Sequence, residues 1–397
     1  MKFLLIYVPN LRFREFSFPW HQTSIKDLLS FQNGINGAPE QYGKGIKYIS
    51  VGDILNNDYI TYDKIVGSID ISQETLKNYS VTYGDILFQR SSEIKDDIGR
   101  TNVYLDKDNT ATFGGFVIRG KKIGDYNPSF FSFLLKSPSS RKSIVRLGAG
   151  AQHYNIGQEN IKTLSFYFPN EIEQVKIANL LSKIDERIQT QSKIIDDLIL
   201  QKKYIIYSLL EAIQDNEKIM LKDLLFDYNV KTTINNEYPV LSSTASGMYL
   251  QTEYFNKEAA SDNTTGYKII PRGYCTYRSM SDTGLFTFNI QNLVEKGIVS
   301  PAYPVFSANN YSNEFIILYL NNASYIKKQI LELKSGGTRF ALPFSTLGTL
   351  KIPKLEKEKQ LSFIKTITAF ERKIKNEEKI LNDLHKQKNY LLNNMFI

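Results

Sequence analysis

The chain has 397 residues, of which 42% are hydrophobic and 13% aromatic, and it carries a formal net charge of +8. This composition excludes wholesale disorder and allows two or three domains with cores of their own, while the positive charge favours an anionic partner only weakly. The single cysteine, Cys275, excludes a disulfide framework and is typical of a reducing compartment. The apolar start, residues 1–8, is too short for a signal peptide or a membrane span, so we expect a cytoplasmic protein.

Residues 1–172 are predicted to form a first mixed α/β (α+β) domain with a twisted sheet. They are rich in Tyr, Phe, Ile and Val, and Gly, Asn and Asp interrupt them. Strand-like segments lie at residues 47–51, 85–88 and 115–118, and a helical pair is expected over 130–136 and 141–147.

A long helix is predicted next, over residues 173–218. The stretch 173–213 contains no glycine or proline, and its apolar residues follow a heptad pattern that the polar Gln191 and Lys202 interrupt. The apolar positions are Leu181, Ile184, Ile188, Ile195, Leu198, Ile205 and Leu209. Because a lone helix cannot bury such a stripe, we expect a second helix to pack against it.

Residues 219–354 and 355–397 repeat this plan as a second domain and a second long helix. Strand-like segments lie at 238–242, 273–277 and 303–306, and a helix is expected over 324–333. The second long helix has the polar interruptions Glu377 and Lys388. Its heptad positions are Ile367, Phe370, Ile374, Leu381, Leu384, Leu391 and Met395.

The repeat is explicit, because residues 149–210 align with 335–396 without a gap, at a shift of 186 residues. Identical pairs include Thr163 and Thr349, Gln174 and Gln360, Ile188 and Ile374, and Tyr204 and Tyr390. The period is too long for a solenoid and indicates a duplicated domain with its helix. Two copies related by a pseudo-twofold axis present two similar surfaces, so we expect a ligand with two half-sites.

The polar interruptions predict how the two helices pair. If the helices form an antiparallel coiled coil, one register sets Lys202 opposite Glu377 and Gln191 opposite Lys388, and this avoids burying an unpaired charge. Polar pairs of this kind fix a register more than they add stability. The alternative is that each helix lies on its own domain.

Motifs of catalysis are missing. The three histidines, His21, His153 and His385, have no cysteine or second histidine at the spacing of metal ligands. No glycine-rich phosphate loop follows a strand, and the string at 127–130 lacks the second proline of an amino-methyltransferase loop. We therefore predict a non-catalytic chain that binds no metal and no cofactor.

Basic and amide side chains cluster just after predicted strands, at corresponding places in the two domains. Arg, Lys, Asn and Gln can read base edges, and Ser, Thr and backbone amides near glycine bind phosphates, so the clusters predict a DNA interface. The candidates are Gln89, Arg90, Ser91, Arg100, Thr101, Arg119, Lys121, Lys122, Gln152 and His153 in the first domain, and Arg272, Tyr277, Arg278, Ser279, Thr338 and Arg339 in the second.

The alternation of a domain with a repeated long helix resembles the specificity subunit of type I restriction–modification systems. Shorter similarities are the opening residues 8–13 with Trp20, the head of the first long helix at 174–185, and the segments 300–303 and 336–339. The first copy departs from the pattern, because residues 150–153 read Gly-Ala-Gln-His where 336–339 read Gly-Gly-Thr-Arg.

The resemblance implies two target-recognition domains, 1–172 and 219–354, that each read one half of a bipartite, asymmetric target in double-stranded DNA. It also implies partners: two modification subunits that use S-adenosylmethionine to methylate adenine, and restriction subunits that use ATP and Mg²⁺. A competing hypothesis is a coiled-coil scaffold with two ligand-binding lobes and no DNA, which leaves the matched basic clusters unexplained. A stand-alone methyltransferase or nuclease lacks the necessary motifs.

Overall fold

The computed structural model describes residues 7–150, 153–254, 263–333 and 340–397. The chain divides into two compact units, unit 1 with Met1–Lys193 and Glu378–Ile397, and unit 2 with Ile194–Glu377. Each unit therefore combines one globular domain with segments of both long helices.

Unit 1 contains eleven described strands and six short helices before the first long helix. The strands are β1 His21–Ser24, β2 Leu29–Asn33, β3 Tyr42–Ile49, β4 Ser68–Ile69, β5 Ile86–Gln89, β6 Ser91–Ser92, β7 Thr101–Val103, β8 Thr112–Phe113, β9 Val117–Lys122, β10 Tyr154–Asn155 and β11 Ser165–Phe168. The helices are α1 Ile25–Leu28, α2 Val51–Asn56, α3 Gln73–Asn78, α4 Pro128–Lys136, α5 Pro138–Val145, α6 Gln158–Lys162 and the long α7 Glu171–Glu211, which continues into unit 2.

The central sheet of unit 1 has the strand order β2-β9-β5-β7 and is antiparallel throughout. Both of its faces are covered. Ile86 and Phe88 of β5 belong to the core that includes α4, whereas Leu87 points into a second core under β3 and β8. Two-stranded pairs β1–β11 and β6–β10 flank this sheet.

Unit 2 carries the second set of elements. The strands are β12 Lys218–Met220, β13 Leu225–Asp227, β14 Leu241–Thr244, β15 Gly247–Leu250, β16 Lys268–Pro271, β17 Cys275–Tyr277, β18 Met280–Ser281, β19 Phe288–Ile290, β20 Lys296–Val299, β21 Val305–Ala308, β22 Phe340–Ala341 and β23 Lys351–Pro353. The helices are α8 Gln251–Tyr254, α9 Asn313–Asn322, α10 Ser324–Glu332, α11 Phe344–Thr349 and the long α12 Lys357–Asn394, which continues into unit 1.

The central sheets of the two units share one topology. The order β13-β21-β17-β19 in unit 2 corresponds to β2-β9-β5-β7 in unit 1, and the pairs β12–β23 and β18–β22 correspond to β1–β11 and β6–β10. This confirms the predicted duplication of the globular parts. The units differ around the shared core, where unit 1 has the sheet β4-β3-β8 and unit 2 has the hairpin β14–β15 and the pair β16–β20.

A repeated glutamine ties each long helix to its domain. Gln174 Oε1 accepts a 2.9 Å hydrogen bond from the amide of Asn127, which caps α4, and Gln360 Oε1 accepts a 2.9 Å bond from Ser312, which caps α9. The side-chain amide of each glutamine also donates to the carbonyl of the residue five positions before it. Both glutamines are buried, so the satisfied amide explains a polar residue at this place in both copies.

Segments of α7 and α12 run antiparallel within each unit. In unit 1, Arg12 contacts Glu173 at the start of α7, and the neighbouring Leu11 amide bonds the carbonyl of Asn394 at the end of α12. In unit 2, Lys354, just before α12, contacts Glu217, just after α7. The antiparallel prediction is confirmed, and the alternative of one helix on each domain is wrong.

The lysines of the two helices form ion pairs with acidic residues of the opposite helix. Lys388 Nζ lies 2.5 Å from Asp185 Oδ1 in unit 1, and Lys202 Nζ lies 3.3 Å from Glu371 Oε1 in unit 2. Each observed partner precedes the predicted one, Gln191 or Glu377, by six residues. The pairing of Lys202 with Glu377 and of Gln191 with Lys388 stays a prediction, since a long lysine side chain can reach acids on neighbouring turns.

The apolar stripe itself is confirmed, with one drift. Leu181 and Leu198 are buried as predicted, but near the end of α7 the most buried positions are Ile206 and Leu210. These lie one residue beyond the predicted Ile205 and Leu209. A helix with 3.6 residues per turn drifts in this direction from a strict seven-residue repeat.

Candidate nucleic-acid interface

Arg90 follows directly on the central strand β5 of unit 1, and it is exposed. Its backbone amide donates a 2.9 Å hydrogen bond to the carbonyl of Phe116, and its guanidinium Nη1 donates to the carbonyl of Gly115 at 3.3 Å. The loop before β9 therefore holds this arginine at the end of the sheet, where an anion can reach it.

Ser91, which follows Arg90, contacts strand β10, near the start of the repeated segment 149–210. Ser91 Oγ donates a 2.5 Å hydrogen bond to Asn155 Oδ1, and β6 pairs with β10. His153 is exposed two residues before Asn155, so it lies on the same side of the unit as Ser91. Gln152, predicted beside it, lies outside the described residues.

Three predicted contact residues of unit 1 are in the interior. Gln89, Thr101 and Arg119 are 5%, 5% and 6% exposed. Arg119 donates through Nη2 to Gln32 Oε1 at 2.6 Å and through Nη1 to the carbonyl of Ser80, and burial lowers the pKa of its guanidinium. Since all three side chains are buried in the sheet, we correct their assignment as surface contacts.

The remaining predicted basic residues of unit 1, Lys121, Lys122 and Arg100, are at least partly exposed. Lys121 is exposed at the end of β9, and the ammonium of Lys122 lies 4.9 Å from the centre of the Tyr126 ring. Arg100 is exposed but forms a 2.6 Å ion pair with Asp97, three residues earlier. An arginine whose charge is already paired contributes less to binding an anion than Arg90.

In unit 2 the exposed Arg278 follows the central strand β17 and lines a groove of about 560 Å³. The groove is walled by hydroxyl and apolar side chains and by the carboxylate of Asp282. Its walls include Ser242, Ser243, Thr244, Thr283, Leu285 and Tyr303. Beside the groove, Ser279 Oγ donates to the carbonyl of Ala302 at 2.9 Å. Ser279 and Ala302 occupy the positions of Arg90 and Phe116 in unit 1, where the donor is the backbone amide of Arg90.

Of the other predicted contact residues of unit 2, one is buried, one is exposed and two lie outside the described residues. Tyr277 is fully buried and donates to the carbonyl of Leu342 at 2.8 Å, and burial raises the pKa of its hydroxyl, so its assignment as a surface contact is wrong. Arg272 is exposed and pairs with Glu295 at 2.7 Å. Thr338 and Arg339 lie outside the described residues.

The sequence interpretation missed two features of these surfaces. One is the hydroxyl wall formed by β14, Ser242 to Thr244, along the groove of unit 2. The other is Phe116, whose side chain is 67% exposed at the end of the sheet in unit 1. Consecutive hydroxyls in a strand could have indicated the first, but nothing in the sequence separates Phe116 from the core phenylalanines around it.

Neither a metal site nor a membrane span is found in the part of the chain that the structure describes. No group of three or more His, Cys, Asp or Glu residues there could hold a metal ion. Among the same residues, no helix has the length and hydropathy needed to cross a bilayer.

Residues 19–199 match the family model of the type I restriction modification DNA specificity domain. The putative type I restriction enzyme MjaX specificity subunit of Methanocaldococcus jannaschii is 24% identical over 406 residues, which cover 94% of this chain and 92% of that protein. The chain is thus similar to a type I restriction enzyme specificity subunit over almost its whole length, and residues 19–199 carry the match to the DNA specificity domain.

Solved structures share the fold of this chain. A crystal structure of the type I restriction–modification S subunit from M. genitalium matches with a TM-score of 0.53 at 19% identity, over 98% of this chain and 99% of that chain. A chain from a structure on complex assembly and conformational transition of the type I restriction–modification system matches with a TM-score of 0.58 at 10% identity, over 94% and 96%. Two recognition domains and a long connecting helix are the shared architecture.

Proposed function

We propose that this chain is a specificity subunit that reads a bipartite, asymmetric DNA target, one half through each unit. The observation that carries the proposal is an exposed arginine at the end of the central strand of each unit, Arg90 after β5 and Arg278 after β17. A guanidinium on a surface of amides and hydroxyls suits a phosphate or the O6/N7 edge of guanine.

The surroundings of the two arginines support different half-sites. Arg90 lies beside Phe116 and Gly115, whereas Arg278 borders a groove with a hydroxyl wall. Different side chains around one backbone plan read different base edges, so the two halves of the target differ in sequence. A protein that binds host DNA acts where that DNA lies, which is the cytoplasm.

The proposal leaves the chemistry to partner subunits. Two modification subunits would bind this chain and supply adenine methylation with S-adenosylmethionine, and restriction subunits would supply ATP- and Mg²⁺-dependent cleavage. Exposed apolar positions on the long helices support docking of two like partners, because they recur at the shift of the repeat. The pairs are Val175 and Leu361, Ile194 and Ile380, and Tyr204 and Tyr390.

The test of DNA reading is a selection from a randomised duplex library with the full chain, at several salt concentrations. We expect one bipartite sequence to be enriched. Arg90→Ala should relax one half of it and Arg278→Ala the other, each by about 1–3 kcal/mol at a base-reading position. Arg372→Ala removes the same charge from the exposed face of α12 and should change neither half.

Two outcomes contradict the proposal. If no sequence is enriched and affinity for duplex DNA does not fall with salt, the chain is a scaffold that does not bind DNA. If both arginine variants relax the same half-site, the two units do not read separate halves. Mapping methylated adenines in the host with and without the gene tests the partner role.

A further inference from the structure

Phe116 presents a phenyl ring to solvent at the end of the unit 1 sheet. It lies between β8 and β9, and 67% of its surface is exposed. The folded unit gains little from this ring, because burial of a phenylalanine contributes about 1.5–3 kcal/mol only when water is excluded from it. A single exposed apolar residue is ordinary by itself, so the argument depends on how Phe116 is held and what lies beside it.

A backbone hydrogen bond closes the turn that carries Phe116. The amide of Val117 donates to the carbonyl of Gly114 at 2.8 Å, which places Gly115 and Phe116 at the tip of a four-residue turn. A Cβ on Gly114 would lie 2.3 Å from Tyr48 Oη, and a Cβ on Gly115 would lie 2.2 Å from Asn36 Oδ1. The two glycines let the turn lie against the side chains of Tyr48 and Asn36, and the hydrogen bond from Val117 to Gly114 closes the turn that presents the phenyl ring.

The same turn holds the cation of this surface. Arg90 binds it twice, with its amide on the carbonyl of Phe116 and its guanidinium on the carbonyl of Gly115. The turn therefore carries the apolar ring, and the positive charge of Arg90 is bound to it. DNA offers the complementary pair, phosphates for the charge and base methyls or faces for the ring.

We propose that Phe116 is a specificity-determining residue of unit 1 that makes an apolar contact with a base of its half-site. The proposal rests on the proposed DNA-reading function. The corresponding position in unit 2 is Ala302, whose carbonyl accepts from Ser279 as that of Phe116 accepts from Arg90. Since alanine has no ring, the contact belongs to the unit 1 half-site alone and contributes to the asymmetry of the target.

The experiment measures binding of the full chain to its selected target and to random duplex. Phe116→Ala should lose about tenfold in affinity for the target and the preference at one base position of one half-site. Affinity for random duplex and the salt dependence should stay unchanged, because the ring carries no charge. Phe116→Leu keeps an apolar side chain and should recover part of the affinity.

The matched control is Phe18→Ala, which removes a phenyl ring that is 76% exposed elsewhere in unit 1 and should leave binding unchanged. Replacing thymines of the half-site by deoxyuridine separates the two forms of contact. A methyl contact makes one replacement costly for the wild type and neutral for Phe116→Ala, whereas contact with a base face leaves the loss unaffected by the replacements.

Full target affinity and base preference in Phe116→Ala, with a wild type that selects a bipartite sequence, overturn the proposal. A loss of equal size on random duplex also overturns it, because it assigns the ring no part in specificity. A wild type that selects no sequence instead overturns the DNA-reading function itself, so the two failures are distinguishable. Unchanged melting of the variants excludes misfolding as the cause.

Discussion

Replacing Arg12 by methionine should destabilise unit 1 by about 3 kcal/mol. The Arg12 guanidinium donates two hydrogen bonds of 2.7 Å to the Glu173 carboxylate, and the side chains of Arg12 and Glu173 are 12% and 0% exposed. Removing one partner of a buried ion pair costs about 3–5 kcal/mol, because the other charge stays desolvated. We expect the lower end, since Trp20 Nε1 still donates to Glu173 at 3.4 Å and the carboxylate lies in the first turn of α7.

The assay is urea unfolding followed by the fluorescence of Trp20, the only tryptophan of the chain. Trp20 is buried against Phe130 and Phe396, so its signal reports on unit 1. In a double-mutant cycle with Glu173→Met, the double variant should be more stable than the sum of the single losses predicts, because both charges leave together.

The matched control is Lys162→Met, which breaks the exposed 2.7 Å pair with Glu159 and should cost less than about 1 kcal/mol. If Arg12→Met unfolds within about 1 kcal/mol of the wild type, or if the two single losses add without coupling, the reasoning on the buried pair is refuted.

Three further outcomes are expected from the same kind of measurement. Lys388→Met should destabilise its unit more than Lys202→Met, because the Lys388 pair is 20% and 10% exposed and the Lys202 pair 26% and 57%; equal losses in urea titrations would contradict this. Tyr277→Phe should destabilise unit 2 by about 1–2 kcal/mol, measured by circular dichroism, and should leave the selected DNA sequence unchanged. Burial, followed by the charge of Lys388, lowers the pKa of Lys136 to about 8. The unfolded lysine, with a pKa near 10.5, therefore holds its proton over a range where the folded one has lost it. The free energy of unfolding of the wild type relative to Lys136→Met should then rise between about pH 8 and 10.5, by up to about 1.4 kcal/mol per pH unit, and a flat difference would contradict the shift.

The duplication, the long helices and their antiparallel pairing could be predicted from the amino-acid sequence. The local periodicity of apolar residues indicates the helices, and the internal alignment indicates the duplication. An apolar stripe over forty residues has few other ways to be buried, and the repeated Gln174 and Gln360 mark the same junction in both copies. The arginines after strands β5 and β17 were also found this way, because their places are set by the strand ends.

The tertiary structure alone decided which candidates reach the surface. All four residues of β5 are buried because its sheet is covered on both faces, so no alternation of polar and apolar residues marked Gln89 as internal. Arg119 and Tyr277 were also misassigned as surface residues. The groups that satisfy their side chains in the interior, Gln32 and Leu342, are distant in sequence. The exposure of Phe116 depends on a turn that two glycines pack against other segments, and such packing is a property of the folded chain, not of the local sequence.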